Sequence, residues 1–363
     1  MSRTKFIMIG GFLGAGKTTA IARLAKYYTT QGKKVGLVTN DQASGLVDTQ
    51  ALRAQGFHVG EVPGACFCCK FDDLVSTIDH LKVEHHPDIV ITEPVGSCTD
   101  LVATVIEPLR RFHNGDYEIA PLTVLLKPEH GTKILSNDGG SGFSPQAAYI
   151  FLKQIEEADL IAINKIDKLT EEQRLHLERQ VKQRFPDKMI ALVSGKDGTG
   201  FAQLTEAIEK TKPLQNPRME MDYQRYAEGE AELGWLNASY QLTAKETGDF
   251  SIDRVVVELM QSIRDHLMET DTEPAHLKIL CQSGDKFAIS NLVGSDVNVE
   301  LSIESKASAS NATLFVNARA AAPPHQLEAT INESVAALAE VNLKQLSLQS
   351  FSPAAPVPTH RAE

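Results

Sequence analysis

Three thiols within four positions, Cys66, Cys68 and Cys69, form the densest group of reactive side chains in the sequence. Thiolates at i, i+2 and i+3 on a turn can converge on one ion, and soft sulfur selects zinc, copper(I) or cobalt over magnesium. Three protein ligands with an open fourth position suit a site that must release its ion, since a structural zinc is normally closed by four. Cys98, five residues after Glu93, could approach the same region but reads first as a small buried side chain. His58 is the other candidate for a fourth ligand. The competing reading is a set of buried thiols in a hairpin.

A second constellation lies near the start. "GFLGAGKT" fits G-x-x-x-x-G-K-[ST] at Gly11, Gly16, Lys17 and Thr18, after a predicted strand and at the start of a predicted helix. Glycines let several backbone N–H groups point at one anion, and the helix N-terminus adds partial positive charge. The nucleotide-binding set is Gly11, Gly14, Ala15, Gly16, Lys17, Thr18 and Thr19. Lys17 can reach the β- and γ-phosphates, and the Thr18 hydroxyl can ligate Mg²⁺.

The base is read further on. In "NKID", Asn164–Asp167, Asp167 can accept from the N1–H and N2–H₂ edge of guanine, the Lys165 stem can lie over the ring, and Asn164 can tie the loop together. Ser194 and Gly195 can place their backbone beside the guanine O6. GTP is therefore preferred to ATP. "ITEPVG" ends an apolar strand in Glu93, a carboxylate for Mg²⁺ or its water, with Gly96 three residues on to sense the γ-phosphate. Asp41 could face the metal and the attacking water, or simply cap a loop.

These residues need a frame. "KFIMIG", "KVGLVTND", "DIVITEP", "PLTVLLK", "ADLIAINK" and "KMIALVS" are apolar runs alternating with helical segments, which predicts a parallel sheet with helices on both faces. The fold class is α/β, a P-loop NTPase with a mostly parallel sheet, plus a smaller C-terminal α+β domain. The expected organisation is a nucleotide domain over 1–212, a linker over 213–233, the α+β domain over 234–350 and a disordered tail over 351–363. Residues 131–147 read as a Gly- and Ser-rich loop.

Bulk properties bound the function. The chain has 363 residues, enough for two cores. Its net charge of −11 argues against a general nucleic-acid binder. No secretory leader pattern is recognisable, and no apolar run approaches the roughly 20 residues that cross a bilayer. Five cysteines, three of them crowded, fit a reducing cytoplasm better than a disulfide scaffold.

"GGFLGAGKTT", "ACFCC", "EPVG" and "NKID", in that order, resemble the CobW-type GTPases, relatives of the HypB and UreG metallochaperones. The resemblance covers roughly residues 1–212. It implies that Cys66, Cys68 and Cys69 are the thiolates of the family's C-x-C-C motif. It also implies GTP hydrolysis, at a slow intrinsic rate, coupled to delivery of zinc or cobalt to a client metalloprotein. Lys17, Glu93 and Asp41 are the catalytic candidates, and with no arginine finger evident a partner or a second copy of the chain is expected to complete the site. Two rivals share the nucleotide chemistry: a chaperone of a cobalamin or corrinoid enzyme, and a metal sensor or buffer switched by GTP.

Three features depart from the family pattern. The glycine expected before the first thiol is Ala65, preceded by Gly64. His80, His85 and His86 read as a polar helix end instead of a metal store. The second domain shows no catalytic constellation.

Overall fold

Short apolar runs punctuated by glycine and acidic residues become the strands of a parallel sheet. In the computed structural model these are β1 (Thr4–Gly11), β2 (Val35–Asp41), β3 (His58–Pro63), β4 (Ile89–Glu93), β5 (Tyr117–Ile119), β6 (Thr123–Leu126), β7 (Leu160–Ile163) and β8 (Met189–Leu192). They run in the order β3-β2-β4-β1-β6-β7-β8, with β5 also beside β1. Phe6, Ile7, Met8 and Ile9 are consecutive and each at most 1% exposed, so helices cover both faces of the sheet. The structure describes residues 3–43, 46–135, 144–213, 219–245, 248–294, 298–299 and 301–362. Among them no helix is long and apolar enough to cross a membrane.

Parallel strands bring all their carboxyl ends to one edge, where ligands bind in open α/β sheets. β1 runs into the phosphate loop, β2 ends at Asp41, β4 at Glu93, β7 just before Asn164 and β8 two residues before Ser194. One edge therefore receives residues spread over nearly two hundred positions of sequence.

The second compact unit comprises Ala43–Gly56 and Glu230–Ala354. Its strands are β9 (Gly234–Ala244), β10 (Phe250–Ser251), β11 (Pro274–Ser283), β12 (Lys286–Leu292), β13 (Leu301–Ile303), β14 (Ser308–Ala309), β15 (Asn311–Ala320) and β16 (Val341–Phe351). Six of them form an antiparallel sheet in the order β13-β12-β11-β15-β9-β16, and β10 pairs with β14. Helices Ile252–Glu269 and Pro324–Ala336 bury Val255, Leu259, Leu327 and Ile331 on the face that carries Ile279. Leu280 points to the opposite face, as strand alternation requires, and with Ile289 it packs on Val47 and Ala51 of helix Val47–Ala54. Asp48 pairs with Lys278, and the Val47 N–H donates to Asn317 Oδ1 at 2.6 Å.

The chain divides differently from the expected boundaries. Residues 43–56 join the second unit, because the apolar side of their helix meets its sheet. Inside the expected linker, Tyr223–Ala231 is a helix whose Tyr226 is buried, and 214–218 lie outside the described residues. The expected loop over 131–147 is flanked at both ends by helices, Pro128–Leu135 and Pro145–Glu157, with 136–143 outside the described residues. The expected disordered tail is corrected too: Phe351 ends β16, and Ala355–Glu363 group with the first unit through defined hydrogen bonds. Its prolines restrict the unfolded chain and so lower the entropy lost on ordering, which composition alone hides.

Candidate functional site

The phosphate loop takes its shape from its glycines. Gly11, Gly14 and Gly16 have φ of 135°, 73° and 87°, the left-handed side that side chains resist. A Cβ on Gly11 would meet the Leu125 carbonyl oxygen at 2.6 Å. Helix Lys17–Thr30 starts directly after Gly16, so its unpaired N–H groups face the loop. Lys17 is buried, and its Nζ donates to the Gly11 carbonyl at 2.9 Å, folded back over the loop it would serve.

Glu93 and Gly96 arrive at this loop from β4. Thr18 Oγ1 donates to Glu93 Oε1 at 3.0 Å. A Cβ on Gly96 would lie 3.0 Å from Lys17 Nζ and 2.8 Å from Leu13, so only glycine lets the backbone come this close to the lysine. Two hard oxygens in contact beside the phosphate loop are a donor set suited to Mg²⁺. Asp41 is buried at the end of β2; its Oδ1 accepts from the Gln42 N–H at 2.7 Å.

Asn164 is the tie between loops. Its Nδ2 donates to the Ala15 carbonyl at 2.8 Å, and its Oδ1 accepts from the Gly195 N–H at 2.9 Å. Gly195 also lies against Thr19, whose Cγ2 would be 3.3 Å from an added Cβ. The Ser194 hydroxyl donates to Asp167 Oδ1 at 2.7 Å, orienting an exposed carboxylate. Lys165 sits half-buried with φ 59°; burial first, and then the Lys127 charge, lower its pKa to about 8.

The thiols converge. Cys66 Sγ lies 2.8 Å from Cys68 Sγ and 3.3 Å from Cys69 Sγ, and the last two are 3.7 Å apart. The turn is closed by Cys69 N–H and Lys70 N–H, both donating to the Cys66 carbonyl at 3.0 Å. Cys66 and Cys68 are buried while Cys69 is half-exposed. Hydrogen bonds from Cys68, Cys69 and Cys98 hold the Cys66 thiol well below the usual thiol range, so it ionises first. The Cys66 hydrogen bond raises both neighbours, Cys69 to about 11. One anion shared among several sulfurs is a cluster suited to a soft cation, which would draw the remaining protons off. Cys98 thus stands against Cys66, two residues beyond Gly96. His58 does not join them: its ring stacks on His85 at 3.7 Å. Among the described residues the three cysteines are the one group of this kind.

A family model described as CobW/HypB/UreG, nucleotide-binding domain, matches residues 5–191, just over half of the chain. The chain belongs to this family. It is 28% identical to the zinc chaperone YeiR of Escherichia coli over 197 residues, 52% of this chain and 54% of that protein. It is 28% identical to a zinc chaperone CobW from a Sinorhizobium species over 191 residues, 44% of this chain and 50% of that one. The chain thus spans about half the length of these curated relatives. The solved HypB from Helicobacter pylori in complex with nickel covers 60% of this chain and 92% of its own, with 20% identity and a TM-score of 0.43.

One residue of this CobW/HypB/UreG member ties the end of β2 to β3 and the thiol turn and was not expected from sequence. Asn40, directly before Asp41, donates through Nδ2 to the Val62 and Ala65 carbonyls at 2.8 and 2.7 Å. Its Oδ1 accepts from the Phe67 N–H at 2.8 Å. Gly64, with φ 93°, donates to the Asp41 carbonyl at 3.0 Å, so the departure at Gly64–Ala65 serves the same clamp. The available signal was a polar residue at the buried end of an apolar strand. Two more positions escaped notice. Gln154 Nε2 donates to the Gly96 and Cys98 carbonyls at 3.0 and 2.8 Å. Glu157 accepts from Thr99 Oγ1 and the Val102 N–H, both at 3.1 Å. Helix Pro145–Glu157 therefore holds the loop that follows β4. Helix Phe71–His85 ends at the histidines, where the His80 and His86 rings bond to the carbonyls of Ser76 and Lys82.

Proposed function

We propose that this chain is a GTP-hydrolysing metallochaperone whose nucleotide state sets the affinity of the Cys66–Cys68–Cys69 site for a transition-metal cargo, zinc or cobalt, destined for a client protein. The observation that carries this reading is the Asn40 clamp. β2 ends at Asp41 on the edge that carries the phosphate loop, and one residue earlier Asn40 grips the backbone of β3 at Val62 and of the thiol turn at Ala65 and Phe67. The loop from Glu93 through Gly96 to Cys98 is a second link, reaching from the phosphate site to the Cys66 sulfur. A shift at either end on exchange of GTP for GDP is felt at the sulfurs, as in other nucleotide switches. The names of the zinc chaperone relatives support the choice of cargo.

For hydrolysis, the loop N–H groups and Lys17 bind and neutralise the phosphates, so that water can attack the γ-phosphorus in line. Gly96 offers its N–H toward the γ-phosphate, and Asp41 orients the water. Asn164 fixes the loop that brings Asp167 to the guanine edge. Thr18 and Glu93 would hold Mg²⁺, which when bound supplies charge neutralisation between the phosphates.

The test titrates Zn²⁺, Co²⁺ and Ni²⁺ into the wild type and Cys68→Ala, following GTPase rate and metal content together. The reading requires the alanine variant to lose metal affinity and the metal response of its GTPase. Equal binding by both proteins overturns the thiol site and leaves a GTPase alone. Metal retained through many GTP turnovers, even with acceptor present, favours the buffer.

A further inference from the structure

The mouth of the thiol site already holds a peptide, and it is the chain's own. Ala355–Glu363 belong to the first unit. The Thr359 N–H donates to the Cys68 carbonyl at 2.8 Å, its hydroxyl to the Cys69 carbonyl at 3.0 Å, and the Val357 N–H to Cys69 Sγ at 3.2 Å. Pro356 is buried. The His360 ring lies 4.9 Å from that of Phe112 and meets Phe71 edge-on at 5.2 Å. Arg361 Nε donates to Asp100 Oδ2 at 2.8 Å, and the Tyr223 hydroxyl donates to the same oxygen at 2.7 Å. The Ala362 N–H then pairs with the Ala103 carbonyl at 2.8 Å.

These contacts are of two kinds. Backbone groups on Cys68, Cys69 and Ala103 would pair with any chain of suitable shape. Two subsites, in contrast, select side chains. Asp100 is 1% exposed, with φ 63°, and presents a carboxylate to a guanidinium beside the Tyr223 ring. Phe71 and Phe112 form an apolar notch for a ring, and Phe112 remains 52% exposed with the strap in place. A buried carboxylate aimed at an exposed arginine is a recognition pocket. Yet the occupant is a segment without helix or strand that is itself only partly covered, with Val357 75% exposed. Such segments open at low free energy compared with the core.

We propose that this groove is a peptide-docking site beside the metal site, that residues 356–362 are its resident strap, and that the client protein displaces the strap with a segment of matching chemistry. The matching segment carries a proline, a hydroxyl residue, a ring and an arginine in that order. While the strap is seated, Cys69, the most exposed of the three sulfurs, is shielded by the Val357 N–H. When it leaves, that sulfur faces whatever took its place. The role of the displacing segment as part of a client rests on the metal-delivery reading; the groove and strap do not. Tethering gives the strap a high effective concentration, so a free peptide competes only when the strap is weakened.

The test uses the full-length, reduced, metal-free chain. Alkylation of each cysteine by iodoacetamide is followed by mass spectrometry in the wild type, Arg361→Ala and Thr359→Pro, the last lacking both donors at that position. At least tenfold faster modification of Cys69 is expected in both variants, with the buried Cys281 of the other unit still protected. A labelled peptide, AAPVPTHRAE, is expected to bind the Thr359→Pro/Arg361→Ala double variant, to slow its Cys69 alkylation, and to bind at least tenfold more weakly to wild type. The same peptide with alanine for arginine is expected to lose binding at least tenfold. Unchanged Cys69 rates with Cys281 protected overturn the strap, and failure of the peptide to bind the double variant overturns the groove. If Cys68→Ala keeps full zinc affinity while the strap results hold, the metal reading fails and the groove stands.

Discussion

Thr18 Oγ1 and Glu93 Oε1 are in hydrogen-bond contact at 3.0 Å, although 75 positions separate them in the chain. The hydroxyl opens the helix after the phosphate loop; the carboxylate ends the neighbouring parallel strand. The pair is a donor set suited to a hard cation, and it makes the first prediction direct. Glu93→Gln keeps the hydrogen-bond acceptor and removes the charge. Single-turnover GTP hydrolysis across a Mg²⁺ titration is expected to fall by about 10²-fold, with half-saturation at higher Mg²⁺. Nucleotide affinity without Mg²⁺ is expected to change little, since the loop N–H groups are untouched.

Asn40→Ala strips three backbone groups of their partner and leaves the Phe67 N–H buried without one. A loss of about 1–3 kcal/mol in local stability is expected. Hydrogen exchange at the Phe67 amide reads it directly and should accelerate by one to two orders of magnitude. Metal affinity should fall more than GTP affinity.

Under the proposed function, base recognition turns on a single carboxylate. Asp167 is oriented by Ser194 and accepts twice from guanine in the proposed pose. Asp167→Asn replaces one acceptor by a donor, matching the second carbonyl of xanthine. Competition between GTP and XTP is expected to shift toward XTP by at least 10²-fold, from a bidentate pair worth several kcal/mol.

Glu157 supplies a pH dependence with a definite sign. Burial raises its carboxyl pKa from the ordinary 4.5 to about 8, outweighing the hydrogen bonds it accepts. The folded state therefore binds more protons than the unfolded state between those values, and stability falls as pH rises through that window. Below about 4.5 the contribution is complete; above about 8 it is gone. Glu157→Gln, neutral throughout, should flatten the urea-unfolding profile of the first unit. The difference in slope is expected to be on the order of 1 kcal/mol per pH unit.

Local chemistry was legible in the sequence and distant pairing was not. The phosphate loop could be read because glycine backbone freedom, a strand before and a helix after are all encoded within about twenty residues. The thiol triplet was readable for the same reason. Asn40 was not, because its three partners lie on the neighbouring strand β3 and the turn that follows it, more than twenty residues on. Cys98 was weighed correctly as buried, but its bond to Cys66 depends on how two loops meet. Helix Val47–Ala54 was hidden because its apolar side meets a sheet encoded more than two hundred residues later. The strap was missed because its partners lie about 290 residues away and its prolines look like disorder.

Control of the cargo by the nucleotide requires that the nucleotide edge and the sulfurs share moving parts. Zinc affinity, measured by competition with a chromophoric chelator, should be compared for the chain loaded with GDP and with a non-hydrolysable GTP analogue. Affinities are expected to differ by about 5-fold to 150-fold, the usual range of allosteric coupling, with a difference that shrinks in Asn40→Ala. Equal affinities in the two nucleotide states would contradict it.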